Sequence, residues 1–551
     1  MSKQEEYTTI IVGAGLSGGI VAGVLAEAGQ TVLLLERGKH FRSPAEVSRD
    51  HLRNHRLAQY GYNVGPGPGG NPRVFVDPSG TEHLVEKPID GRWNNNAMGV
   101  GGGGLVYGAQ AWRFLPEDFR MASTYGTPEG SSLADWPISY DDLEPYYTQA
   151  EQEIGVAGDA AQMPLWTRRS APYPLPPFPD NPSRRVLRTA ADKLGWATHP
   201  VPLAINTRPY NGRQACVHCG ECVGFSCPTD AKSGSHNTLL PRGLATGRVT
   251  LVPGAYAAQI DTDSAGKVIG VTYFTYAADG SLTTCQARAQ NVVLAAGAIE
   301  TARLLLLSRS AKHPQGLGNH SDQVGRHVQG HYYAGATGFM EEPVFDNQGP
   351  GVTIATTAFN HHNPNVIGGG MLANDFIMTP ITFRKWTYPA KLPSWGLACK
   401  RAMRELYPRV IQARGPVQEI PSPECRVTLD PVVTDGRGLP VARMSGTTHR
   451  ETARTAKYMA GRATEWLNAA GARDICTDQF GLHFSAGQHQ AGTARMGADP
   501  ATSVTDPSGQ VWHHENLYVA DASLHVTNGG FNPCLTLMAL AFRTARQMIG
   551  D

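Results

Sequence analysis

The sequence predicts an α/β protein, α+β overall, in which a parallel βαβ core is interrupted by a mostly antiparallel sheet. Three observations carry this. Residues 8–12 form an apolar, β-branched run that ends in the glycine turn Gly13-Ala14-Gly15-Leu16-Ser17-Gly18. A second apolar run, Val292-Val293-Leu294-Ala295-Ala296, enters another glycine turn at Gly297 and then a small-residue helix. Between residues 332 and 475 the pattern changes to alternating, aromatic-rich segments such as Val427-Thr428-Leu429-Asp430, the period of half-buried antiparallel strands.

The opening unit is the most informative. Gly13 permits the tight turn, Gly15 lets backbone N–H groups approach a pyrophosphate, and Gly18 lets the helix pack closely on the strand. Phosphates then sit at the positive end of that helix. The next run, Val32-Leu33-Leu34-Leu35, ends in Glu36, eighteen residues past Gly18 and placed to accept hydrogen bonds from ribose hydroxyls. A glycine turn alone is weak evidence. Strand, helix, second strand and terminal acid together predict a Rossmann-like unit holding a dinucleotide. Residues 8–29 are apolar enough to suggest a signal peptide, but Glu5 and Glu6 precede them where a signal carries positive charge, and glycines interrupt the run.

The 551 residues suffice for two large domains, or for one nucleotide domain with a second threaded through it. With 48 basic against 47 acidic residues, the net charge of +1 leaves no footprint for nucleic acid or an anionic membrane. No apolar stretch is long enough to span a bilayer. Five of the nine cysteines (Cys285, Cys399, Cys425, Cys476, Cys534) are scattered singles, which read as small buried residues and not as a disulfide framework.

Residues 40–90 are rich in glycine, proline and polar residues, as in Gly65-Pro66-Gly67-Pro68-Gly69-Gly70, and read as a long excursion with little regular structure. Six glycines fall between positions 99 and 108, too many for an ordinary helix or strand. Backbone lying flat against a large planar ligand accounts for them, and the apolar and aromatic residues that follow argue against a flexible linker. Ser139 or Asp141 can cap an acidic amphipathic helix that follows. Residues 164–183 are proline-rich and extended. Strands are expected at 249–252 and 270–274, and the final stretch reads as strand, Asp521, loop, and a helix starting near Pro533. The nucleotide domain is therefore expected to be discontinuous, residues 1–331 and 476–551, with 332–475 inserted as a substrate domain.

In this order the motifs resemble those of the glucose–methanol–choline (GMC) oxidoreductases. The resemblance rests on the first glycine turn with Glu36, glycines 101–104, Gly297-Ala298-Ile299-Glu300, His489-Gln490-Ala491-Gly492-Thr493-Ala494-Arg495-Met496-Gly497, Asp521-Ala522-Ser523 and Asn532-Pro533-Cys534-Leu535-Thr536. It runs from residue 10 to beyond 540. Within the family, Ala111-Trp112-Arg113-Phe114, Trp136-Pro137-Ile138, residues 140–147 and Arg208-Pro209-Tyr210-Asn211-Gly212-Arg213 most resemble the large FAD subunits of bacterial sugar, gluconate and fructose dehydrogenases. The GMC fold pairs a Rossmann-like FAD-binding domain with an inserted, mostly antiparallel β-sheet substrate domain. The resemblance implies FAD, contacted by Gly13, Gly15, Leu16, Ser17, Gly18, Glu36, Arg37, Gly101, Gly102, Gly103, Tyr107, Ala257, Ala296, Gly297, Asp521, Ala522, Asn532, Pro533 and Thr536. The residues also support a flavin independently, because the glycine-flat segment suits an isoalloxazine and no second complete nicotinamide fingerprint occurs. Relatives with covalent flavin have a histidine shortly after the double glycine; Val106 stands there, so FAD is expected to be held non-covalently.

Oxidising an alcohol requires a base for the hydroxyl proton while the carbon-bound hydrogen leaves as hydride to flavin N5. Histidine suits the task, since its pKa lies near neutrality. The resemblance assigns the base to His489 and the partner role, His or Asn in the family, to Asn532. His331 and His483 carry no such motif and read as ordinary residues, although His331 follows Gly325-Arg326-His327-Val328-Gln329-Gly330, a segment the family shares.

Cys216, Cys219, Cys222 and Cys227, followed by Pro228, are spaced like the thiolates of an iron–sulfur protein. Sugar dehydrogenase large subunits use three cysteines of a matching loop to hold a [3Fe–4S] cluster. Cys216, Cys222 and Cys227 fit that pattern with one extra residue before the last; Cys219 is additional, and four ligands could hold [4Fe–4S]. Zinc is an alternative for four thiols, and a cluster-free loop, as in some GMC alcohol oxidases, is another.

The expected function is FAD-dependent oxidation of a hydroxyl of a sugar, glycoside or polyol. Electrons are expected to leave through the iron–sulfur cluster to a cytochrome or quinone, with a small subunit as partner. Without the cluster an oxidase using O₂ is an equal reading, and a flavin-holding lyase is a third, since hydroxynitrile lyases share the fold. The cytoplasm is the default location, with the periplasm open through a signal-bearing partner subunit. The substrate itself is not legible, because its specificity lies in loops with no transferable code.

Overall fold

A computed structural model describes residues 6–40, 46, 71–86, 90, 92, 97–163, 168–374, 378–485 and 487–550. The centre of the molecule is the strand Glu6–Val12, whose Ile10 and Ile11 are wholly buried. A strand apolar on both faces belongs inside a parallel sheet. It pairs in parallel with Val32–Glu36 on one side and with the end of the long strand Leu282–Leu294 on the other. Val249–Pro253 extends the sheet beyond Val32–Glu36, and Leu517–Val519 adds in parallel to the last residues of Leu282–Leu294. The first half of that long strand instead pairs antiparallel with Val268–Tyr276, which pairs with Tyr256–Thr262. Strands from residues 6–36, 249–294 and 517–519 thus share one sheet.

Register decides where a ligand can sit. Val12 lies beside Leu35 and Leu294, Leu35 beside Val252, and Leu294 beside Val519. The carboxyl ends of five strands are thus level, and the loops leaving them converge on one edge, the usual crevice of such sheets. Helix Leu16–Glu27 packs closely behind this edge: a Cβ on Gly23 would come within 2.7 Å of the Leu239 carbonyl oxygen of the neighbouring helix Leu239–Ala245.

A second, wholly antiparallel sheet of six strands runs in the order Arg473–Thr477, Tyr333–Phe339, Val410–Pro416, Leu372–Ala373, Ile354–Thr356, His199–Pro200. Helices Arg450–Ala469 and Pro182–Leu194 pack with it, locked where the buried Trp466 indole donates to the Leu187 carbonyl at 2.8 Å. This is the sheet expected within 332–475, with one edge strand drawn from before that interval and the other running past its end.

The excursion 40–90 departs from the sequence reading. Its residues 41–45, 47–70 and 87–89 lie outside the described residues, as do 94–96 of the glycine-rich segment and 164–167 of the proline-rich stretch. The rest of the excursion contains a hairpin, Arg73–Val76 with Glu82–Val85. The strands Arg426–Thr434 and Pro440–Ser445 join this hairpin and not the six-stranded sheet, through parallel pairs Arg443 with Val74 and Met444 with Phe75. Val74, Phe75, Val427 and Met444 are all buried in this arrangement. Helix Tyr140–Ile154 is capped as expected by Ser139, whose Oγ accepts from the Asp142 amide while the Asp142 carboxylate accepts from the Ser139 amide. Among the described residues, no helix is long and apolar enough to cross a membrane.

Candidate functional site

The converging strand ends enclose a cavity of about 390 Å³. Of the residues expected at a dinucleotide, Gly13, Gly15, Leu16, Ser17, Glu36, Arg37, Gly102, Gly103, Tyr107, Ala257, Ala296, Gly297, Asp521, Ala522 and Asn532 all line it, together with Val106 and His489. Four do not. A Cβ on Gly18 would fall 1.8 Å from the Gly13 carbonyl oxygen, so this glycine serves helix-to-turn packing. Gly101, in a left-handed conformation at φ 104°, donates its amide to the Ala14 carbonyl and backs onto His236. Pro533 caps helix Cys534–Met548, and Thr536 shares a buried hydrogen bond of 2.7 Å with Tyr147. These four stand behind the residues that line the cavity.

The cavity fits a dinucleotide by its own geometry. A Cβ on Gly15 would meet nothing within 4 Å, so backbone faces open space at the helix N-terminus, where phosphates are favoured. The Glu36 carboxylate accepts from the amides of Ala14 and Gly38 at 2.9 and 2.7 Å, which fixes the turn and the acid relative to each other. Asp521 does the same for the second turn, accepting from the Gly297 amide at 2.8 Å and the Thr301 hydroxyl at 2.6 Å. Burial raises the Asp521 pKa against these bonds.

Several lining residues were missed in the sequence. Glu300 is buried, which alone would raise its pKa, yet Arg37, Arg73 and Arg303 hold it well below the usual carboxylate range. Arg303 in turn reaches Asp435 at 2.8 Å, on the hairpin between Arg426–Thr434 and Pro440–Ser445. Arg437 of the same hairpin lies 3.4 Å over the Tyr256 ring. Glu300 ends a motif and Arg37 was among the expected contacts, but Arg73, Arg303, Asp435 and Arg437 come from other segments and carry no local mark.

At the opposite part of the wall stand His489 and Asn532. His489 adopts a left-handed backbone, φ 59°, and its Nε2 lies 3.4 Å from Asn532 Nδ2. Asn532 Nδ2 also donates to the Tyr333 hydroxyl at 2.7 Å, while its Oδ1 is buried and meets no donor among the described residues. An orphaned acceptor beside a cavity is a place for a ligand's donor. Burial and the neighbouring His331 lower the His489 pKa well below 6.5, so the imidazole is neutral and can accept a proton. Tyr333 and His331 had no sequence signal beyond the shared segment before them.

The four clustered cysteines are free thiols in one loop beside Tyr107 and the buried Lys232, which donates to the carbonyls of Tyr107, Cys222 and Phe225. Among the described residues no group of three or more His, Cys, Asp or Glu side chains is gathered to hold an ion. Burial pushes the Cys216 thiol up to about 11 and Cys222 higher still.

A glycine-edged nucleotide crevice that opens onto a neutral imidazole and an amide defines a flavoprotein oxidoreductase. Two family models, both described as GMC oxidoreductase, match residues 95–333 and 421–541. The chain is 28% identical to the fructose dehydrogenase large subunit of Gluconobacter japonicus, over 98% of this chain and 97% of that protein. It is 32% identical to the 6'''-hydroxyparomomycin C oxidase of Streptomyces lividus, over 98% and 91%. It is 31% identical to the 2-methyl-1,2-propanediol dehydrogenase of Mycolicibacterium austroafricanum, over 98% and 95%. In fold it is similar to pyridoxine 4-oxidase from Mesorbium loti, TM-score 0.61 at 16% identity over 99% of this chain and all of that one. Formate oxidase of Aspergillus oryzae gives 0.64 at 16% identity over 100% and 99%. The chain belongs to the GMC oxidoreductase family: it is an FAD-dependent enzyme that oxidises CH–OH groups.

Proposed function

We propose that this enzyme oxidises a hydroxyl of a sugar, glycoside or polyol to a carbonyl, with His489 as base and Asn532 as its partner. One observation carries the reading: the neutral, half-buried His489 and Asn532, whose Oδ1 has no partner among the described residues, line one cavity whose other wall is the nucleotide turn. Bound flavin supplies the hydride acceptor. The chain's own residues do the rest. His489 Nε2 takes the hydroxyl proton, and the Asn532 amide holds the hydroxyl so that its carbon is oriented, a positioning effect worth several kcal/mol of barrier. Gly15 with the following helix N-terminus would hold the phosphates, and Glu36 the ribose. Val106, buried in the wall where covalent relatives carry histidine, supports FAD bound without a covalent link.

The sugar class rests on the resemblance to sugar dehydrogenase subunits and on relatives whose names include fructose and an aminoglycoside among the compounds they act on. The cysteine loop lies beside Tyr107 of the cavity wall, where a cluster could take electrons from the flavin. An external acceptor is proposed, and O₂ or an artificial dye compared in one assay identifies it. The reading is tested by adding sugars, glycosides and polyols anaerobically to the FAD-loaded enzyme. A sugar or polyol that bleaches the flavin spectrum supports it, and bleaching only by simple alcohols would move the substrate class. A carbonyl product formed with no bleaching by any substrate would point to lyase chemistry.

A further inference from the structure

We infer that His331 is a positioning residue that fixes which nitrogen of His489 carries the proton, and so makes Nε2 the base. The inference deepens the reading of His489 as base and rests on it.

His331 Nε2 lies 2.8 Å from the Gly529 carbonyl oxygen, which can only accept, so Nε2 of His331 carries a hydrogen. A neutral imidazole has one N–H, which leaves a lone pair on His331 Nδ1. That lone pair lies 2.9 Å from His489 Nδ1, and a hydrogen bond between them requires the hydrogen on His489. His489 Nε2 is then the unprotonated nitrogen, turned toward Asn532 and the cavity. The assignment starts from a backbone carbonyl and does not depend on which way the Asn532 amide is turned.

His331 is buried and His489 half-buried at the cavity wall, and burial lowers the His331 pKa to about 4, so its neutral form holds at neutral pH. The backbone around the pair is tied as well. Asn528 Nδ2 donates to the carbonyls of Gly330 and His489 at 3.0 and 2.7 Å, and its Oδ1 accepts from His525 Nδ1 at 3.0 Å. One side-chain amide therefore clamps the residue before His331 to His489 itself, while His331 bonds to the next residue, Gly529. Fixing a base through its second nitrogen is a recurring device for histidine.

The geometry also excludes a relay. After Nε2 takes the substrate's hydroxyl proton, His489 is an imidazolium whose Nδ1–H still points at the His331 lone pair. A proton passed on to His331 would have to leave through Nε2 to the Gly529 carbonyl, which cannot take it. The Nδ1–H of His489 stays on the His331 lone pair, and the proton returns to the cavity by the nitrogen through which it came.

The test uses the full-length, FAD-loaded enzyme and three readouts. In ¹⁵N NMR of histidine-labelled protein, the signals missing from His489→Ala should show a protonated Nδ1 and a bare Nε2. In anaerobic flavin reduction, His331→Leu should fall about a hundredfold with KM changed less than about threefold and FAD content unchanged. His331→Asn, whose Oδ1 can stand in place of the Nδ1 acceptor, should stay within about tenfold of wild type. A protonated Nε2 in the wild type overturns the inference even if a variant fails to fold. So does a His331→Leu enzyme reducing flavin at the wild-type rate, or an Asn variant as slow as the Leu one. If His489→Ala also reduces flavin normally, the base reading itself falls; if only His331→Leu does, this inference alone falls.

Discussion

Asn532 Nδ2 stands 3.4 Å from His489 Nε2, across a join between a loop after residue 486 and the start of the last helix. Neither residue can be replaced without changing how the other meets a hydroxyl. His489→Ala is expected to keep its yellow FAD and to lose substrate-dependent flavin reduction by at least about a hundredfold. Asn532→Ala should lose about tenfold or more, with part of the loss in KM, because the amide orients and the imidazole takes the proton. Stopped-flow reduction under anaerobic conditions measures both.

Activity should resist mild acid. Burial and His331 hold the His489 pKa well below 6.5, so the base remains unprotonated as pH falls through the ordinary histidine range. Flavin reduction at saturating substrate is expected to stay level from neutrality to below about pH 6. An acid limb centred near 6.5 would show an unburied base.

Stability should respond in the opposite sense. His199, His236, His331 and His525 have pKa values lowered to about 4 by burial. Between about pH 6.5 and 4 the unfolded chain binds protons at these sites and the folded chain does not, so stability falls as pH falls. Each site costs up to about 1.4 kcal/mol per pH unit in that window. Urea midpoints measured across it should drop steeply, while those between pH 7 and 8 should barely move on this account.

The glycine turns, Glu36, Asp521 and the capped helix at Tyr140 were legible because each is a local rule written in adjacent residues. The pairing of Arg443 with Val74 was not, since a parallel partner hundreds of residues away leaves no local mark. The same holds inside the site. His331 reads as one histidine among 19 until packing sets its ring against His489, and Arg437 reads as a turn residue until it lies over Tyr256. Gly18, Gly101, Pro533 and Thr536 share the motifs but not the cavity, because a motif marks both the surface a ligand touches and the packing behind it.

That distinction can be measured at two glycines of one turn. Gly18→Ala places a Cβ 1.8 Å from the Gly13 carbonyl oxygen, and the backbone there cannot move aside cheaply. It should destabilise the protein by about 3 kcal/mol, read from the urea midpoint with or without FAD. Gly15→Ala meets nothing within 4 Å and should leave the FAD-free protein as stable as wild type. Its methyl instead enters the space for phosphate, so FAD should be released about tenfold more readily.

The cysteine loop sets spacing against placement. Cys216, Cys219, Cys222 and Cys227 are spaced for iron–sulfur ligation, yet among the described residues no three metal-ligating side chains are gathered to hold an ion. From the placement, purified enzyme is expected to contain no stoichiometric iron or acid-labile sulfide. Cys222→Ser should then leave both flavin reduction and its reoxidation by external acceptors within about twofold of wild type. Stoichiometric iron and sulfide, lost in Cys222→Ser together with dye reduction but not with flavin reduction, would show instead that the loop closes around a cluster. Electrons would then leave one at a time, as the spacing alone predicts.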